Sequence, residues 1–269
     1  MLRFDLNISI LLKEIPFLER FARASQLGFG AVEFWWPAGE SLAAIAEQLH
    51  SNGLNVALMN FDAGNMVAGE RGFLNNPDKR EWFRSHVPVA IEFAAQIGCP
   101  QLNALVGNVL PGVSREAQLE CVRENLAWVA DYAATAGLGV VVETLNTFEN
   151  PSYLLTSTHD VLQLLMSLNR PNLKYQYDLY HMQRMEGNLI TTLRMHIGQI
   201  GHIQVADAPD RHEPGSGEIH YPHVLAAIDT LGYQGYIGLE YNAFTSSEAS
   251  FSWLPEEHRR TAEVSDLYL

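Results

Sequence analysis

A chain of 269 residues, 47% hydrophobic and 18% charged, has ample apolar material for one large core, which excludes a disordered polypeptide and leaves two ordinary domains cramped. Its 31 acidic and 17 basic side chains give a formal net charge of -14, and with no run of Lys and Arg that field argues against nucleic acid and against an anionic membrane surface as partners. Cys99 and Cys121 are the only cysteines and lack C-x-x-C spacing, the N-terminus has no clean signal core, and no apolar stretch reaches transmembrane length, so a cytoplasmic protein is expected.

Short apolar or β-branched runs alternate with longer helical patterns, the signature of repeated β-α units. Arg3 to Ile10 predicts the first strand and Ile15 to Leu27 the first helix. Gly28 and Gly30 then punctuate a turn into a second strand, Ala31 to Trp35. Ser41 is placed to cap a helix striped by Leu42, Ile45, Ala46 and Leu49, which Asn52 and Gly53 end. Leu54 to Asn60 reads as strand three. The polar segment Asp62 to Lys79, with Gly64, Gly69 and Gly72, is long for a compact barrel and reads as an active-site loop or lid, or equally as surface decoration. A helix from Arg80 to Ile97 ends at Gly98, and Gln101 to Val106 reads as strand four. Ser114 opens a helix to about Thr135, with Glu116 suiting its positive end.

Gly139 to Glu143 is apolar up to its final carboxylate, as a strand covered on both faces would be. A helix from Ser157 or Thr158 to Leu168, a strand from Leu173 to Asp178, a short helix from Leu189 to His196 and a strand from Ile200 to Ala206 follow. Tyr221 to Leu231 then reads as a helix and Gly235 to Glu240 as the eighth strand, and a distal helix is expected within Glu248 to Leu269. Eight strand-helix units predict an α/β fold, a closed (β/α)8 TIM barrel forming a single domain over 1–269, with 248–269 as a C-terminal extension packing on or near the barrel. No G-x-G-x-x-G or G-x-x-x-x-G-K-[ST] motif supports an open nucleotide-binding sheet.

Catalytic groups in such a barrel gather where the strands end, because those ends surround one concave face. Glu143, Asp178, Gln204 and Glu240 fall at four such positions. Carboxylates brought together repel one another unless protonated, spread apart or joined by a cation. Their oxygen donors suit a hard divalent metal, Mg2+ or Mn2+, although each alone could cap a helix or pair with Arg. His181, three residues past Asp178, is a candidate to orient substrate or share a proton. His202 shares a strand face with Gln204 and reads as a supporting or substrate contact. Arg211, in ADAPDRHEPGSGE, is a candidate carboxylate anchor or a surface ion pair. Asn7, Asn60 and Asn103 stand near separate strand ends, ready to orient hydroxyls or satisfy loop backbone. Phe34, Trp35, Trp36, Phe251 and Trp253 read as packing, an apolar wall or a subunit contact.

Taken together, MLRFDLNISI, AGERG at Ala68 to Gly72, LVG at Leu105 to Gly107, YQYDLYHMQRMEGNL at Tyr175 to Leu189, GHIQVADAPDRHEPGSGEI at Gly201 to Ile219 and GLEY at Gly238 to Tyr241 resemble the hydroxypyruvate isomerase family of xylose isomerase-like barrels. The resemblance spans Met1 to Trp253. It implies that Glu143 and Glu240 are paired catalytic carboxylates, that Asp178 and Gln204 join them at the metal, and that His181 and Arg211 contact substrate. Many broader relatives carry histidine where this chain has Gln204, which disfavours softer metals such as zinc. The implied reaction interconverts hydroxypyruvate and tartronate semialdehyde through an enediolate, so the implied partner is a small 2-oxo-hydroxy acid. A 2-oxo-tetronate isomerase is the neighbouring alternative and a ketose 3-epimerase a third. A DNA-repair endonuclease, from the same superfamily, is opposed by the acidic charge, and a non-catalytic sugar-acid binder stands as the bland reading. A homo-oligomer is compatible with all of them.

Overall fold

The computed structural model describes residues 1–269. Eight strands, β1 (Leu2–Asn7), β2 (Ala31–Phe34), β3 (Asn55–Asn60), β4 (Gln101–Asn103), β5 (Gly139–Glu143), β6 (Leu173–Asp178), β7 (Ile200–Val205) and β8 (Ile237–Leu239), lie parallel in that order, and β1 also pairs with β2 to close the ring. Helices α1 (Phe17–Gln26), α2 (Leu42–Ser51), α3 (Arg80–Gln96), α4 (Arg115–Thr135), α5 (Thr158–Leu168), α6 (Leu179–Met185), α7 (Leu189–His196) and α8 (Tyr221–Thr230) form the outer layer. This is the expected (β/α)8 TIM barrel. No helix is long and apolar enough to cross a membrane.

Alternation along each strand separates two chemistries. Phe4, Leu6, Val32, Phe34, Tyr175, Tyr177, Ile203, Val205, Ile237 and Leu239 belong to one buried apolar cluster. The residues between them, Asp5, Asn7, Glu33, Gln176, Asp178, His202, Gln204 and Glu240, are polar and equally buried, and hydrogen bonds join them both between neighbouring strands, as in Asn7–Glu33 and Gln176–Gln204, and across the barrel, as in Gln204–Glu33. The strands thus face apolar helices outward and a polar axis inward. Gly238 makes room for that axis: a Cβ there would lie 2.6 Å from a Glu33 carboxylate oxygen.

Several expected boundaries shift for local reasons. The first strand stops at Asn7 rather than Ile10, because Asn7 folds the chain into a turn: its Oδ1 accepts from Ser9 N at 3.0 Å and its carbonyl from Leu11 N at 3.0 Å. β4 ends at Asn103, short of Val106, since beyond Ala104 the chain turns to other partners, with Val106 N donating to the Tyr153 hydroxyl. Helix α6 was not anticipated; seven residues carry little periodicity, and its start is set by Asp178, whose Oδ1 accepts from Tyr180 N and His181 N.

The expected distal helix is absent. Residues 248–269 fold as three short 3-10 turns, at Ala249–Phe251, Glu256–His258 and Val264–Asp266, and a strand β9 (Thr261–Ala262) antiparallel to the start of β1. Pro255 cannot continue a helical ladder, and Phe251, Trp253 and Leu254 are all buried, a grouping no single helix face provides. Phe251 packs edge-on to Phe29 with centroids 5.1 Å apart, and Trp253 to Phe4 at 5.7 Å. Phe251→Ala should therefore destabilise the whole barrel by about 3–5 kcal/mol. Urea unfolding monitored by circular dichroism checks this; a loss below about 1 kcal/mol would make the tail an ornament.

Candidate active site

The candidate side chains stand at or just past the strand ends: Asn7 on β1, Trp35 after β2, Asn60 on β3, Asn103 on β4, Glu143 on β5, Asp178 on β6, Gln204 on β7 and Glu240 after β8. Trp35, Asn60, Arg71, Glu143, His181, Arg211 and Glu240 are among the residues lining a cavity of about 210 Å³. The loop between β3 and α3 supplies Met66 and Arg71 to its wall, as the length of that segment led us to expect.

The two glutamates are held differently. Glu143 Oε2 accepts from Asn103 Nδ2 at 2.9 Å. Burial, followed by the charges of Glu240 and Asp178, pushes its carboxyl well above the usual carboxylate range. Glu240 takes three donors: Asn7 Nδ2 at 2.9 Å and Trp35 Nε1 at 3.1 Å on Oε1, and Arg211 Nη2 at 2.6 Å on Oε2. Burial still raises it to about 7, with Arg211 opposing and Glu33 and Asp178 assisting. Asp178, with Oδ1 spent on α6 and Oδ2 buried without a hydrogen-bond partner, is raised by burial to about 6 against the pull of Arg211.

His181 faces the same point, its Nε2 lying 3.5 Å from Asp178 Oδ2 and 4.0 Å from Glu143 Oε1. Its tautomer follows from a backbone group that can only donate. Asn146 N–H reaches Nδ1 at 3.1 Å, so Nδ1 accepts and the ring proton sits on Nε2. Burial and the nearby arginines hold the ring well below the ordinary histidine range. His181 therefore enters the site as a neutral hydrogen-bond donor.

Arg211 is brought into the cavity by the loop after β7. Asp207, buried, accepts from Ala208 N, Ile219 N, Gly215 N and Gly217 N through its two oxygens. Gly217 fits only as glycine, since a Cβ would meet the Ala208 carbonyl oxygen at 2.0 Å. The loop so pinned points Arg211 at Glu240, with Asp178 Oδ2 at 3.8 Å and Glu149 Oε2 at 3.4 Å.

One layer down lies a group the sequence reading passed over. Glu33 Oε1 accepts from Asn7 Nδ2 at 2.9 Å and Gln204 Nε2 at 2.7 Å, and its Oε2 lies 2.6 Å from His202 Nε2. Burial opposes ionisation of Glu33, but His202 and these amides hold its carboxyl below the usual value. Asp5 beside it is raised well above the usual range by burial and by Glu33. His202 is thus a partner of Glu33 outside the cavity lining, which corrects the expectation of a substrate contact in favour of a supporting one. Gln204, tied by its Nε2 to Glu33, offers its Oε1 to Gln176 Nε2 at 2.6 Å. Arg71 was also missed: its Nε donates to Asn150 Oδ1 and its Nη1 to the carbonyls of Met66 and Glu70. Glu33 was legible as a carboxylate between two apolar residues of strand two; Arg71 lay inside the AGERG segment, but without a strand-end position to single it out.

Residues 21–262 match the family model described as a xylose isomerase-like TIM barrel. The chain is 41% identical over 254 residues to hydroxypyruvate isomerase from Escherichia coli, covering 94% of this chain and 98% of that protein. It is 38% identical to a 2-oxo-tetronate isomerase from Pectobacterium atrosepticum, covering 93% and 96%. A crystal structure titled AP endonuclease, family 2, from Brucella melitensis superposes with a TM-score of 0.90 at 38% identity, covering 94% and 98%.

The crowded carboxyls make a stability prediction for the metal-free protein. Their folded-state pKa values lie above the unfolded ones, so their contribution is full below the unfolded values near 4 and is lost as pH rises through about 6 for Asp178 and about 7 for Glu240. Glu143→Gln removes one such group, and each costs up to about 1.4 kcal/mol per pH unit in its window. In the presence of chelator the variant should be more stable than the parent at pH 8, with the gap closing toward pH 5. Urea unfolding across that range tests it; a pH-independent loss in the variant would defeat the argument.

Proposed function

This chain belongs to the xylose isomerase-like TIM-barrel family, and from that premise we propose that it is an isomerase interconverting hydroxypyruvate and tartronate semialdehyde by proton transfer through an enediolate. The observation that carries the reading is the convergence of Glu143 and Glu240, unequally hydrogen-bonded, with the Nε2–H of His181 on one small cavity. The named relatives supply the substrate class.

One glutamate removes a proton from the hydroxymethyl carbon of hydroxypyruvate. The C–H electrons become the C=C bond of the enediolate, and the ketone oxygen takes the negative charge. The other glutamate returns a proton to the former ketone carbon, while the terminal hydroxyl proton passes to the neighbouring oxygen and an aldehyde forms. His181 donates to the oxygen on which charge develops. Trp35 and Asn7 hold Glu240 still, and Asn103 does the same for Glu143. Asn60 lines the same cavity as a further substrate contact, and Arg211 there compensates Glu240.

Glu143, Asp178, Gln204 and Glu240 would hold Mg2+ or Mn2+. The residues fit such an ion: the donor set is all oxygen, Asp178 Oδ2 is buried without a partner, and burial raises all three carboxyls, with nearby carboxylates adding to it. When bound, the metal supplies electrophilic stabilisation of negative charge on oxygen. Two free, buried cysteines accord with a reducing, cytoplasmic setting.

Incubation of the metal-supplemented protein with hydroxypyruvate in deuterium oxide should yield tartronate semialdehyde carrying solvent deuterium on carbon. Glu143→Gln and Glu240→Gln should each lower kcat by about 10²–10⁴-fold. Absence of both product and exchange would remove this substrate, and a much better reaction with a 2-oxo-tetronate would install that alternative. The Brucella relative, named as an AP endonuclease, makes abasic DNA the necessary control. Cleavage abolished by Glu143→Gln would overturn the reading, which the net charge of -14 opposes.

A further inference from the structure

A 2-oxo acid brings a carboxylate that takes no part in the bond changes, into a cavity already lined by Glu143 and Glu240, with Asp178 buried beside His181 and Arg211. A cation must receive it. Two guanidinium groups line the cavity. Arg211 is committed: its Nη2 is 2.6 Å from Glu240 Oε2, its Nη1 3.4 Å from Glu149 Oε2, and Asp178 Oδ2 lies 3.8 Å away. Drawing it onto a substrate would strip Glu240 of the charge that compensates it.

Arg71 is placed differently. Its Nε donates to Asn150 Oδ1 at 2.7 Å, and its Nη1 to the carbonyls of Met66 at 2.8 Å and Glu70 at 2.7 Å. All three acceptors are neutral, so the side chain is fixed without forming an ion pair of its own. They occupy three of the five guanidinium N–H groups, leaving the two on Nη2 without a protein partner. The backbone beneath is equally fixed: Gly72, at φ +93°, sits so close to the segment following β4 that a Cβ would meet the Leu105 carbonyl oxygen at 2.0 Å. A half-buried, immobilised cation that lines the cavity and keeps a free edge is a receptor for an anion.

Resting on the 2-oxo-acid reading above, we propose that Arg71, through Nη2, receives the substrate carboxylate, and that Arg71 rather than Arg211 makes the site select 2-oxo acids over neutral ketoses. Arg211 then serves to hold Glu240. The division gives each guanidinium one carboxylate.

The test compares hydroxypyruvate with dihydroxyacetone, in which a neutral hydroxymethyl group replaces the carboxylate, and adds calorimetric binding of D-glycerate, a non-reacting acid, against glycerol. Arg71→Gln should raise KM for hydroxypyruvate by about 10–100-fold, the worth of one charge-assisted contact, with a smaller change in kcat. Its kcat/KM on dihydroxyacetone should stay within about twofold, so that the preference for the acid collapses, and D-glycerate affinity should fall in parallel. Arg71→Lys, which keeps the charge, should recover part of both. An undiminished acid preference or undiminished D-glycerate binding in Arg71→Gln would overturn the assignment. Should that variant lose its melting transition, Arg71→Lys decides: a several-fold KM rise confined to the acid supports the proposal, and equal rises on both substrates refute it. Should the parent protein turn over neither substrate, the isomerase reading falls, and the D-glycerate titrations of parent and variant still judge Arg71.

Discussion

Three carboxylates from β5, β6 and β8 meet in a space that excludes most water, and much of the surrounding structure answers that one electrostatic difficulty. Like charges at such range cannot all be ionised without compensation. The barrel distributes the burden by giving each group different partners. Glu240 receives a guanidinium, an indole and an amide; Glu143 receives a single amide; Asp178 spends one oxygen on a helix N-terminus and leaves the other bare. The inequality is chemically useful, because two carboxyls that differ in their hold on a proton can exchange roles with a substrate between them.

The polar layer below extends the same solution inward. Glu33 gathers Asn7, Gln204 and His202 about its two oxygens, and Asn7 passes the connection up to Glu240 through the same amide nitrogen. Gln204 is therefore oriented from beneath. With its nitrogen committed to Glu33, its oxygen is the atom left to face a cation or Gln176. Support of this kind, one step removed from the cavity, fixes which end of a buried amide faces its neighbours.

Two loops finish the site, and both are pinned rather than loose. Asp207 collects four backbone N–H groups to set the loop that carries Arg211, and Gly72 packs against the segment following β4 to set the loop that carries Arg71. Each device uses elements that already belong to the barrel, so the mouth of the cavity inherits the rigidity of the strands. The tail does the corresponding work at the opposite end, where Phe251 and Trp253 close over Phe29 and Phe4 and β9 pairs with the start of β1.

The alternation of apolar runs and helical stripes sufficed to read eight β-α units and a closed barrel, because the period-2 and period-3.6 patterns are local consequences of backbone geometry. The same patterns placed Glu143, Asp178, Gln204 and Glu240 at strand ends, since a carboxylate closing an apolar strand is visible in one dimension. Where a pattern was short or irregular the reading failed. Helix α6 was too brief to register, and the tail's buried aromatics mimicked a helix that Pro255 forbids. Which carboxylate takes which partner was decided only by the tertiary structure. Asn7 and Glu240 lie 233 residues apart, and His202 and Glu33 169. Those pairings come into being when the ring of strands closes, and the difference between Arg71 and Arg211 rests on distances that no sequence spacing encodes.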